Sequence, residues 1–104
     1  MKTLQDKQGK HWNIHEMAAL IRAEGRLGTD AYVSTNGLRC AIGVIADAQF
    51  VIPQGKRFDM NDVANWLSDN FKIDTVGMGD NLRDFSPAER ALLMAYRIDN
   101  LEPA

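Results

Sequence analysis

Leu38-Arg39-Cys40-Ala41-Ile42-Gly43-Val44-Ile45-Ala46-Asp47 is the stretch on which the fold turns, because it holds the chain's only cysteine and its longest apolar run. A run that is apolar on all sides suits either a buried helix or a buried strand, and periodicity does not separate the two. Ile42, Val44 and Ile45 are β-branched. Asn36-Gly37, just upstream, is a strong hairpin signal that would make Tyr32-Val33-Ser34 a first strand. Against this, Ala41, Ala46 and Ala48 and the length of the stretch favour a helix over roughly 39–49. In the helical reading Gly43 lets a neighbouring helix approach closely.

The flanking segments are more plainly helical. Asn13 is a good N-cap with Glu16 three residues on, the capping-box arrangement, and Trp12 and Met17 stand at the two positions of a hydrophobic staple. Ile14, Met17, Ala18 and Ile21 then make one apolar face, and Gly25 suits the left-handed residue that ends a helix, so a helix is expected over 14–24. A third helix is capped by Asp59, stapled by Phe58 and Val63, and striped by Met60, Val63, Ala64, Leu67 and Phe71, with Trp66 beside the stripe. Ser86-Pro87-Ala88-Glu89 combines a cap, a first-turn proline and a capping-box glutamate, opening a helix to about 99. In that last helix Leu92, Leu93, Met94 and Tyr96 spread over more than one face. Such a helix is either central or shared with a second copy. Residues 1–10 read as a loose start.

Composition narrows the function classes. A chain of 104 residues is one domain. It can bury roughly 65% of its unfolded surface without metal or disulfide staples. Its net charge is −2, and Lys56-Arg57 is the densest basic pair. A nucleic-acid binder normally carries a basic stripe, so that role is disfavoured, as is an anionic membrane surface. One cysteine makes no internal disulfide, the N-terminus is polar, and Cys40–Ala46 is too short to span a bilayer. A soluble cytoplasmic protein is expected.

Few residues carry chemistry. Cys40 would open the second helix, where aligned N–H groups lower a thiol pKa and favour a nucleophile. Its base would be His15 or His11, the only histidines, but no short motif links them, and a lone cysteine is most often core. His11 and His15 are four apart, but the Asn13 cap falls between them, so no metal set is expected. Asp80, Asn81, Arg83 and Asp84 follow the turn-rich Val76-Gly77-Met78-Gly79 and form the candidate binding loop. Asx side chains there more often tie down their own turn. The calcium-loop and phosphate-loop patterns are both missing, and no cofactor is expected.

The order of Leu38-Arg39-Cys40-Ala41-Ile42-Gly43-Val44, Val63-Ala64-Asn65-Trp66-Leu67, and Gly79-Asp80-Asn81 with Phe85-Ser86-Pro87-Ala88-Glu89 resembles a diffuse group of small phage, prophage and bacterial proteins of uncharacterised function. Their pattern is a Cys-x-x-Gly-x segment in a buried helix, a Trp-Leu-like stretch, an Asn-Asp pair and a closing amphipathic helix. The resemblance covers residues 14–100, with the pair inverted here to Asp80-Asn81. It implies a mainly helical fold and a phage or mobile-element setting, and lends no reaction.

The expected fold is therefore mainly α: a compact bundle of about four helices, with helix two or four central. A small two-stranded β ribbon over 32–34 and 50–52 is the optional addition. The expected function is a non-catalytic interaction protein that binds a protein partner, or a second copy through helix 87–99. The alternatives are a cysteine-dependent enzyme using Cys40 with His15 or His11, and a weak nucleic-acid or nucleotide binder using Lys56 and Arg57.

Overall fold

The computed structural model describes residues 1–6, 9–29, 37–50, 60–75 and 80–104, with the backbone alone at 47–50, 60 and 80. It holds a two-stranded antiparallel ribbon, β1 (Leu4–Gln5) and β2 (His11–Trp12), and four helices. These are α1 (Ile14–Glu24), α2 (Ala41–Phe50), α3 (Met60–Asn70) and α4 (Pro87–Asp99). A 3-10 turn over Asp80–Leu82 precedes α4.

The decisive stretch is helical. Val44 N–H donates to the Cys40 carbonyl at 2.9 Å, and every residue from Ala41 to Ala46 is buried. A segment without a polar side has no place on a surface, and here it forms the inner layer. The helical reading is thereby borne out over the strand alternative, with the helix starting two residues later than expected. Residues 32–34, 51–52 and 56–59, which bear the expected ribbon, the basic pair and the cap and staple of the third helix, lie outside the described residues.

A ribbon lies at the N-terminus, in the segment read as loose. Leu4 pairs with Trp12 and Gln5 with His11. Asp6 closes the turn. Its amide donates to the Lys10 carbonyl at 2.8 Å, while its buried carboxylate accepts from Lys10 N–H and Trp12 Nε1–H, both at 2.9 Å. The Lys10 ammonium sits 3.8 Å from the centre of the Trp12 ring, a cation–π contact. A two-residue ribbon is not stable by itself. Leu4 and Trp12 fasten it by packing against the core.

Local signals place the ends of α1 and α4. Both carry complete capping boxes, Asn13 with Glu16 and Ser86 with Glu89. Gly25 ends α1 at φ 78°, in the left-handed region where glycine is unstrained. Helices α1 and α4 run antiparallel: His15 in the first turn of α1 meets Asp99 in the last turn of α4. Beyond the other end, Leu27 N–H bonds the Pro87 carbonyl at 3.0 Å. On its other side α1 packs against α2, which packs against α3. So α1 and α2 each have helices on two sides, and of the two helices expected at the centre it is α2, not α4, that lies there.

The core joins Met17 and Ile21 of α1, Ile45 of α2, Val63 and Leu67 of α3, and Met94 and Ile98 of α4, all buried. The segment after α4 is tied to the end of α3: Lys72 N–H bonds the Glu102 carbonyl at 2.8 Å and Ala104 N–H the Asn70 carbonyl at 3.0 Å. Gly28 is pressed against the approach to α2. Its N–H donates to the Arg39 carbonyl at 2.9 Å, and a Cβ there would stand 3.0 Å from the Leu38 carbonyl oxygen.

Candidate functional site

Cys40 is half-buried immediately before α2, and its Sγ accepts the Gly43 amide at 3.4 Å. That is the contact an N-cap side chain makes with the N3 amide, here made by sulfur. Neither histidine is near. Arg39, next to Cys40, pairs with Glu24 at the end of α1 at 2.7 Å, whereas His15 lies in the first turn. Nine residues of helix rise separate the two levels, about 13 Å. Proton transfer needs ~3 Å or one bridging water. The His15 ring is hydrogen-bonded to Asp99 at 3.0 Å, and His11 Nδ1 is 2.8 Å from Thr3 Oγ1. Among the described residues no three His, Cys, Asp or Glu side chains gather as a metal-binding group.

The candidate loop is strapped to α4 by two arginines. The Arg90 guanidinium donates to three backbone carbonyls: Leu82 at 3.0 Å, Leu27 at 3.2 Å and Arg83 at 2.8 Å. Two turns on, Arg97 donates to Asn81 Oδ1 at 3.0 Å. Residues seven apart share one flank of a helix, so the pair grips the loop along its length. Leu82 is driven into the core, while Asn81, Arg83 and Asp84 stay exposed. Of the four candidates, Asn81 is thus a tie to α4, Asp80 has only its backbone described, and Arg83 and Asp84 face solvent. The arginines were missed in the sequence because a lone Arg on an amphipathic helix carries no pattern that distinguishes a strap from a solvated charge.

The outward side of α4 is apolar. Ala91, Met94, Ala95 and Ile98 face the core, whereas Leu92 and Tyr96, one turn apart, are 66% and 67% exposed. Leu93 at 38% extends the patch, and Phe85 at 41% stands exposed just before the N-cap of the same helix. Phe85 is left out for a local reason. A hydrophobic staple needs apolar residues at N′ and N4. In α1 these are Trp12 and Met17, both against the core, but in α4 the residue at N4 is Arg90, so Phe85 has no partner there. Leu92, Leu93 and Tyr96 expose roughly 300 Å², the lower end of the largest patch on a typical monomer, and such patches often mark a contact site.

Charges border this patch. On the α1 side the Asp99 carboxylate is bonded to both His15 and Arg22. Partial burial pushes the Asp99 carboxyl up, but hydrogen bonds from His15 and Arg22 and their charges outweigh it and hold it below the usual range. On the outward face the Glu89 carboxyl is lowered by its hydrogen bonds to the Ser86 backbone and side chain. Compared with known protein families, with characterised proteins and with solved structures, the chain matches none.

Proposed function

We propose that this chain is a protein-docking module and that its contact face is the outward side of α4 with Phe85. The carrying observation is the pair Leu92 and Tyr96, two large apolar side chains about two-thirds exposed on successive turns of a well-capped helix. Neither contributes to the core, so their apolar character is unexplained by the fold itself. A polar border around an apolar centre is the anatomy of a protein contact, where a few aromatic and aliphatic anchors dominate binding. The straps from Arg90 and Arg97 hold the loop beside the face and so fix its outline before any partner arrives. A nucleophilic role for Cys40 has no comparable support, because both histidines are engaged elsewhere. The docking reading stands without the phage or mobile-element setting.

The test is site-specific photocrosslinking in cells, with benzoylphenylalanine at position 92 or 96 and, as a control, at exposed position 65 on α3. Protein adducts from 92 and 96 but not from 65 are expected. Equal adducts from all three positions, or none from α4, would sink the proposal.

A further inference from the structure

The partner that fits this face is argued from its symmetry. Glu89, Leu93 and Arg97 form one row along α4 at intervals of four residues, an acid and a base equally spaced on either side of a leucine. Leu92 and Tyr96 flank the row. In a two-fold contact each residue meets its counterpart reflected through the axis, so such a face must be complementary to itself. With the axis at Leu93 and the two helices antiparallel, Leu93 meets Leu93, and Glu89 of each copy meets Arg97 of the other. A parallel pairing would instead set Glu89 against Glu89 and Arg97 against Arg97, which like-charge repulsion opposes.

We infer that the occupant of the α4 face is a second copy of this chain, packed antiparallel about Leu93. This rests on the docking reading and names its partner. Two faces of roughly 300 Å² remove roughly 600 Å² of largely apolar surface, to which the Glu89 and Arg97 border adds. That is at the small end for a specific contact, so the dimer is weak and forms with rising concentration.

Sedimentation of the purified full chain from about 1 µM to about 1 mM tests this, with the photocrosslinking variants as the second readout. The mass should rise toward twice that of the chain. Leu93→Asp should weaken association at least about 100-fold by placing two carboxylates on the axis. Glu89→Gln, which keeps the capping box, should weaken it about five-fold, and added salt should do the same. Circular dichroism of each variant shows whether the fold survives. A crosslinker at 96 should map to the partner's first α4 turns, near position 90. Mapping to position 96 would refute the antiparallel packing about Leu93. A monomer at every concentration overturns the dimer. In that case adducts from 92 and 96 with a different protein leave the docking face standing, and no adducts remove both.

Discussion

Cys40 places sulfur where helices usually place oxygen. Ser, Thr, Asp and Asn are the strong N-caps because a compact oxygen accepts the N3 amide at close range. Sulfur is a weaker acceptor, and it meets Gly43 N–H at 3.4 Å. The half-buried thiol therefore joins two modest roles, packing against the core edge and closing the first turn of α2. Cys40→Ser should consequently be neutral or stabilising by up to about 0.5 kcal/mol, whereas Cys40→Ala should lose the cap and cost about 1 kcal/mol. Chemical denaturation of the two variants decides it. If Cys40→Ser proves as costly as Cys40→Ala, the sulfur acts through packing and the cap contributes nothing.

Helix α4 carries two separable tasks on different faces. Its inner face supplies Met94, Ala95 and Ile98 to the core, and its flank holds the loop through Arg90 and Arg97. Three carbonyls converge on one guanidinium, a group with five donors and a fixed fork. Replacing Arg90 with Met keeps the packing stem and removes every donor. The variant should lose about 2 kcal/mol of stability. It should also speed hydrogen exchange at Phe85, whose amide bonds the Leu82 carbonyl at 3.1 Å inside the strapped loop. Unchanged exchange at 80–85 would show that the loop is held by Leu82 burial rather than by the strap.

For the molecule as a whole, the α1–α4 seam has an acid-sensitive end. Asp99 titrates below the usual carboxylate range in the folded protein, since His15 and Arg22 favour its charged form more than partial burial opposes it. A carboxyl depressed on folding stabilises above its unfolded pKa of about 3.9, and that contribution fades as pH falls through the lower folded value. Asp99 is partly exposed, so solvent screening limits the contribution to about 0.5 kcal/mol. Asp99→Asn should be less stable than the parent at pH 7, and the two should converge near pH 2. Urea unfolding at both pH values measures the gap, and a gap of equal size at both would assign the loss to something other than charge.

The helix ends were legible in the chain itself because they are set by chemistry within four residues. Asn13 with Glu16, Gly25, and Ser86-Pro87 with Glu89 act where they stand, whatever the rest of the molecule does. The mainly helical class followed from the same local signals. Three matters were decided only in the folded molecule. The 41–46 stretch has no polar side to orient it, so although its alanines and length favoured a helix, only the fold showed that it is one and that it forms the inner layer. The ribbon at 4–12 depends on the Asp6 carboxylate reaching Trp12 and on Leu4 finding the core, contacts that composition does not announce. The candidate loop was visible as a cluster of polar residues, yet its straps were not. Leu92, Leu93, Met94 and Tyr96 read as spread over more than one face of a helix, and only the packing of α1 against α4 showed that Met94 is covered and the other three are not. A hydrophobic pattern shows how much apolar surface a helix has, and only packing shows which part of it is left uncovered.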